Sequence, residues 1–471
     1  MIVNFGRNLK FEPNQFAEPQ SEAELLKLLS SNPGRRFRVI GSRHAWSPLI
    51  NTDDVCITLT HFNDVALTKN NDGRFLATVG AGCTICRLLK LLNKHDLTTP
   101  SVGVITSQTI AGAIATGTHG SGRQSLSHYI KSVRLAVIDA ETGQAVVRTY
   151  DRGPELAAAR CGLGCLGVLI SVQFYCIPQF AAAECTQVVE TVDEVLRLEA
   201  KYPMQQFYLI PHLNEIYVST RREAQTWDGK AGLKSILYRI YCLLGIDVGY
   251  HLFVLLLGRF YRSGWFIRWF YRKVFPRVIC CDAVVVDRSD RILTMAHELF
   301  RHFETEIFVK ESYLKDAVVF VNATVDSFAD RNTLVPESFA TSVKEMGMSE
   351  RLHQLRGSWV HHYPICVRKV LPDDTLISMS AGTEAVYAMS FITYDRDRRD
   401  FRNFASFLTK AMATRFGARP HWGKHFDLSP EILRSLYPKF DRFNRIRHNL
   451  DPDGRFGNAF LDDIMEPKTE A

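Results

Sequence analysis

Several things this chain lacks narrow what it can be. It has no internal repeat and no low-complexity segment, so solenoid and linker architectures are not expected. It carries neither a basic tail nor a recognition-helix pattern, and a net charge of +7 over 471 residues is small, so anionic ligands or a membrane surface are allowed while nucleic acid is not expected. Arg239, Asp247, His251 and Arg259 interrupt the most apolar stretch, which excludes a clean run of about 20 apolar residues and argues against a spanning helix. The opening MIVNFGRNLKFEP lacks the basic-then-apolar plan of a signal peptide, and 11 cysteines are an odd number for a disulfide framework. A reducing, cytoplasmic location is expected. Cys83 and Cys86 form a CxxC, but no second pair at zinc spacing accompanies them and ICRLLKLLNKH reads as an amphipathic helix. They are expected to be packing thiols, and no metal site is expected.

What is present describes an ordinary globular chain, 46% hydrophobic and 23% charged, long enough for two or three domains. SEAELLKLLSS opens a helix by the capping-box rule, with Ser21 as cap and Glu24 three residues on. RFRVIG, VCITLTHF and FLATVGAG read as strands, and VRLAVIDAETGQAV as two strands around ETGQ. Such a mixture is α+β. After Pro178 the character changes. Residues 233–275 form an aromatic and aliphatic block whose end, GWFIRWFYRKVF, has the pattern of an interfacial helix or of a buried helical pair. Strands return in PICVRKVL, TLISMSAG and AVYAMSFITY, followed by helices over RDFRNFASFLTKAMATRFG and PEILRSLYPKFDRFNRIRHNL and by the turn LDPDGRFGNAFL.

Three stretches rich in small residues stand out: GSRHAWSPL at 41–49, TIAGAIATGTHGSGR at 109–123 and GLGCLGVLI at 162–170. Small residues let backbone approach a ligand closely, and turn amides make nests for phosphate oxygens. The spacing is neither GxGxxG nor a Walker loop.

Taken with HYPICVRKVLPDDTLISMS, RPHWGK and LDPDGRFGNAFL, these stretches resemble the FAD-linked oxidases of the vanillyl-alcohol oxidase type, in the sugar-1,4-lactone and alditol oxidase branch, over nearly the whole chain. The resemblance implies a two-subdomain PCMH-type FAD-binding domain in residues 1–180, an α+β cap with an antiparallel sheet in 181–424, and a C-terminal segment, 425–471, returning to the FAD domain. It implies FAD contacts from Ile40, Gly41, Ser42, Arg43, His44 and Ala45 in the first loop, and from Gly112, Thr116, Gly117, Thr118, His119 and Gly120 in the second. Gly167, Ile170, His421 and Lys424 complete that set. His44 stands where relatives attach the flavin covalently. The reaction implied is oxidation of a CH–OH group in a sugar lactone or polyol, with oxygen or another electron acceptor, and a lipid-linked sugar or lost catalysis as alternatives.

Lys424 is expected to set positive charge beside the flavin, and Arg368 to face the substrate from the same side of its strand as Cys366. Relatives carry Glu where this chain has Cys366. A thiolate there, another base such as His362 or Glu384, or loss of the lactone reaction are the open outcomes. Ser101 matches a substrate-binding serine, and Pro100 beside it is expected to slow reaction with oxygen.

Overall fold

Two strands rich in β-branched and aromatic residues begin the molecule's first layer, Phe37–Ile40 and Val55–Thr58. They pair in parallel, and Gln15–Ala17 adds to Val55–Thr58 in the same sense. The computed structural model describes residues 1–225, 232–259, 264–279, 281–295, 300–394 and 398–465, excepting the side chains of residues 246, 247 and 257–259. Helix Glu22–Ser30 packs Leu25 and Leu29 into this layer. Its capping box forms by half: Ser21 accepts from the Glu24 amide, but the Glu24 carboxylate reaches the amide of Gln20 rather than that of Ser21.

A second, antiparallel sheet follows, in the spatial order Ala145–Tyr150, Ile130–Ile138, Val168–Tyr175, Phe75–Gly80, Val65–Lys69. The hairpin around ETGQ forms as expected, with Ala145 opposite Ile138. Helix Ile85–Leu92 buries its apolar face here, together with Cys83.

The third layer is an eight-stranded antiparallel sheet ordered Val285–Arg288, Ala181–Val189, Ile216–Glu223, Gln206–Leu209, Ile365–Val370, Val386–Thr393, Phe303–Lys310, Arg419–Pro420. Side chains alternate across its pleat. Phe207, Val367, Met389 and Ile307 are opposite one another on successive strands and pack into a core with helices Leu314–Ala329 and Arg399–Phe416. The alternate rows turn the other way, toward the glycine-rich loops. The expected α+β class with an antiparallel cap sheet is what the chain adopts.

Two expectations are corrected. TLISMSAG is a loop, not a strand, because the Asp373 carboxylate collects the Thr375, Ser378 and Ser380 hydroxyls at 2.7 Å, 2.7 Å and 2.9 Å and curls the chain around itself. PEILRSLYPKFDRFNRIRHNL is two helices, Pro430–Ser435 and Phe440–Leu450, since Pro438 cannot continue a helical hydrogen-bond ladder.

The C-terminal segment crosses back to the first layer. The Phe37 amide bonds to the Arg455 carbonyl at 2.7 Å, and the buried Arg38 guanidinium donates to the carbonyls of Leu49, Leu163, Gly164 and Phe456. One cation thus ties the first strand, the third glycine cluster and the chain end together.

The block after residue 232 departs most from expectation. Leu233–Tyr241, Cys242–Tyr250 and His251–Arg259 form one continuous helix whose middle nine residues are π-helical. Leu233–Leu256 is long and apolar enough to cross a membrane by length and composition, with mean hydropathy 1.5, so Arg239 and Asp247 do not break the run as expected. The side chains of Asp247 and Arg259 lie outside those described. Leu237, Leu244, Leu252 and Leu256 are exposed on it, and Trp265 and Trp269 on the next helix, Gly264–Lys273, whose Ile267, Phe270 and Tyr271 are buried.

Candidate active site

The first loop leaves strand Phe37–Ile40 at Gly41, where a Cβ would sit 2.2 Å from Thr109 Oγ1. Only glycine allows the first and second loops to approach that closely. Arg43 takes φ +61°, and the amides of Ser42, Arg43 and Ala45 donate to no protein acceptor among the described residues, an arrangement suited to an anion. Helix Ile110–Ala115 carries the second loop onward to Gly122, whose amide bonds to Lys369 O at 2.8 Å and whose Cβ would collide with Pro203 O. The loop is thereby stitched to the cap strand bearing Cys366 and Arg368.

Between loops and sheet lies a cavity of about 980 Å3. Ile40 to Ala45, Gly112, Thr116, Thr118, His119, Gly167, His421 and Lys424 line it, as do Cys366 and Arg368. Gly117 and Ile170 do not: Gly117 lies against Met379 with φ +71°, and Ile170 is buried in the core beneath the first layer. Ser101, Pro100 and Gly120 line a separate void of about 30 Å3. Arg368, Gln206 and Arg221 border both spaces, so the void holding Ser101 and Pro100 adjoins the main chamber at those residues.

His44 stacks on Phe5 at 4.7 Å, with Nδ1 donating to Ser42 O at 3.1 Å. Lys424 lies 4.1 Å above the Trp46 ring and pairs with Glu304. Burial would raise the Glu304 carboxyl, but the Lys424 ammonium and the His302 ring hold it down at about 2. Arg368 Nε donates to Gln206 Oε1 at 3.2 Å, which aims the guanidinium along the chamber wall.

Cys366 faces the chamber beside Arg368, as the strand period requires. Burial pushes its thiol up despite the pull of Arg368 and Arg221, so a resting thiolate base is not what this environment favours. His362 and Glu384 do not line the chamber. His362 is fully buried and its ring is pushed down to about 4 by that burial, while Glu384 accepts from the Ser312 amide.

Sequence reasoning missed Glu304 and Glu306, both buried at the chamber wall. Their signal was present in FETEIFVK, where acids alternate with apolar residues over a strand. Glu306 accepts from Ser390 Oγ at 2.7 Å and lies 3.5 Å from His119 Nε2 and 3.9 Å from His421 Nε2. The ligand atoms of His119, Glu306 and His421 lie within 4.8 Å of one another, close enough to hold an ion. The Gly423 amide donates to His421 Nδ1 at 2.9 Å, however, so the neutral ring carries its proton on Nε2, which then has no electron pair for a metal.

Comparison with known proteins agrees with this geometry. Residues 172–464 match the D-arabinono-1,4-lactone oxidase family, and residues 13–146 an FAD binding domain. A long-chain alcohol oxidase from an uncultured marine euryarchaeote is 43% identical, covering 98% of this chain and 96% of that protein. The L-gulonolactone oxidase of Bos taurus is 26% identical, covering 98% and 97%. Among solved structures, cholesterol oxidase from B. sterolicum superposes with a TM-score of 0.75 at 15% identity, over 98% of this chain and 96% of that one, a likeness of fold.

The high thiol pKa makes Cys366→Ala a mild change. Its flavin spectrum should be unaltered and its rate of anaerobic flavin reduction within about threefold of wild type. A loss of a hundredfold or more, near the low end of what removing a general base costs, would restore Cys366 as the base.

Proposed function

The chain belongs to the D-arabinono-1,4-lactone oxidase family of FAD-dependent enzymes that oxidise a CH–OH group, and from that premise we propose that its substrate is a long-chain alcohol taken up at a membrane surface. The observation that carries this is the shape of the chamber. Beyond Cys366 and Arg368 it continues past Tyr250, Phe275 and Ile279 to Ile236, Ile240 and Leu243 of the long helix. Ile236 and Ile240 line the cavity and are also 44% and 47% exposed, so the cavity reaches the apolar outer face of that helix. A chain of methylenes gains about 0.8 kcal/mol for each group buried in such a passage. The 43% identity to a long-chain alcohol oxidase supports the same reading. A sugar lactone or polyol is the second reading, favoured by the family match over 172–464 and by the Arg368 and Gln206 pair.

The loops fit FAD, since the Gly41 contact leaves no room for a side chain and three amides of the loop are unclaimed. When bound, FAD accepts the hydride of the carbinol carbon. The chain's own groups do the rest. Loop residues 41–45 and 109–118 would hold the phosphates, Arg368 would orient the alcohol oxygen, and Lys424 would set a cation beside the ring where negative charge develops. His44, lining the chamber and stacked on Phe5, is the residue we assign to covalent attachment. The domain division at 180 and 424 is retained as part of this reading, with the cap sheet beginning at Ala181 and its last strand ending at Pro420.

Residues 233–278 carry eight Lys and Arg against one acid, and the helices expose Leu244, Leu252 and Trp265 among other apolar residues. Basic and exposed apolar groups together suit an anionic bilayer surface.

Three outcomes test this reading. Anaerobic 1-decanol or 1-hexadecanol should bleach the flavin at lower concentration than L-gulono-1,4-lactone or xylitol; bleaching by the lactone or polyol alone would reverse the assignment. Acid-precipitated protein should stay yellow, and His44→Ala should release its flavin to the supernatant; release from wild type would refute covalency. The triple variant Leu244→Ser, Leu252→Ser, Trp265→Ser should bind phosphatidylglycerol vesicles at least tenfold less tightly with its fold intact, and unchanged binding would contradict the surface role.

A further inference from the structure

We propose that Glu306 takes the hydroxyl proton of the substrate, supplying from a different strand the carboxylate that position 366 lacks. The inference rests on the CH–OH oxidation assigned above, and is indifferent to whether the alcohol is a lipid or a sugar.

Register carries the argument. Tyr208 is opposite Cys366, Cys366 opposite Ser390, and Ser390 opposite Glu306, on four consecutive strands of the cap sheet. With side chains alternating between faces, all four project from the same side, the one that borders the chamber. Neighbouring strands are about 4.8 Å apart, so Glu306 is displaced roughly 10 Å along the row from the backbone at position 366. Tyr208, Cys366 and Glu306 line the chamber, and Ser390 between the latter two donates to Glu306 Oε1 at 2.7 Å.

The carboxylate is also in a usable state. His119 Nδ1 faces Gly120 O at 3.0 Å, and a carbonyl only accepts, so Nδ1 carries a proton. Its Nε2 lies 3.5 Å from Glu306 Oε1. His421, pushed down to about 3 by burial and by the neighbouring Lys424 and His119, stays neutral and presents Nε2–H toward Glu306 Oε2. Burial works against the charge on Glu306, but His119 and then His421 and Lys424 keep its carboxyl well below the usual range. The other two acids lining the chamber are already engaged, Glu304 by Lys424 and by His302 at 3.4 Å, and Glu184 by Arg221 and the Tyr238 hydroxyl. The side chains nearest the Glu306 carboxylate are two imidazoles and a hydroxyl, groups that pass protons.

In the step, the substrate O–H bond breaks as an O–H bond forms on Glu306, while the carbinol hydrogen leaves with its electron pair to the FAD that the family activity supplies. The alcohol loses two electrons and two protons, and becomes a carbonyl.

The test uses the full-length, FAD-loaded protein and the alcohol that bleaches it, 1-decanol or L-gulono-1,4-lactone. Glu306→Gln should slow anaerobic flavin reduction by about 10²–10³-fold, the scale of general-base loss, with flavin spectrum and substrate Kd within threefold of wild type. Glu306→Asp should recover most of the rate. Groups facing Glu306 that titrate or carry charge are His119, His421, Lys424, Glu304, Arg368 and Cys366. With Glu306 held well below the usual carboxylate range, its ionisation should leave the wild-type rate flat between pH 6 and 8, while the Gln variant should gain a rise of about tenfold per pH unit as hydroxide substitutes. Infrared difference spectra of substrate-reduced minus oxidised protein should show a perturbed carboxylate stretching band that the Gln variant lacks. Reduction of Glu306→Gln within threefold of wild type, or the same infrared band in it, would overturn the proposal. Which alcohol bleaches wild type reports separately on the substrate reading.

Discussion

The chemistry of this protein depends on the pleat of one eight-stranded sheet lying over loops that only glycine can bring close. Because side chains alternate, each central strand of the cap sends one set into a hydrophobic core and the next over the loops. Phe207, Val367, Met389 and Ile307 hold the sheet down against its helices, and that packing aims Tyr208, Cys366, Ser390 and Glu306. A register slip of one residue would exchange the two sets and abolish the chamber.

Loops and sheet are kept in contact by buried polar groups whose partners come from distant parts of the chain. Arg38 binds carbonyls of three separate segments, and the second loop shares backbone hydrogen bonds with the strand of Arg368 at Gly122–Lys369 and Arg123–Leu371. Truncating such a group would leave several buried carbonyls without donors. The long helix at residues 233–259 is built differently. Its Ser235 binds Asp287 and its His251 binds Tyr394, yet much of its apolar surface faces outward. Exposed apolar faces of that kind mark interaction surfaces.

How far the sequence revealed this follows the range of the interactions involved. The glycine loops, the shared face of Cys366 and Arg368, and the ETGQ hairpin were legible because each is set by local backbone chemistry. The polar row was not, since Glu306 and Cys366 lie 60 residues apart in sequence and only strand order brings them into line. Where Ser101 and Pro100 sit was not legible either: their motif is local, but the Arg368 and Gln206 side chains between their void and the chamber come from other strands. TLISMSAG alternates like a strand, and Asp373 outcompeted that pattern with side-chain hydrogen bonds. At Pro438 the break was visible in the sequence and was overridden by the apolar period on either side.

The central claim is that one continuous passage joins the loops to the apolar outer face of the long helix. Photolabelling with a long-chain alcohol bearing a terminal diazirine, followed by peptide mapping, tests it most directly. The account predicts adducts on residues 236–243 and 275–279, removed by excess unlabelled alcohol. Adducts elsewhere on the surface, or labelling that excess alcohol does not suppress, would contradict it.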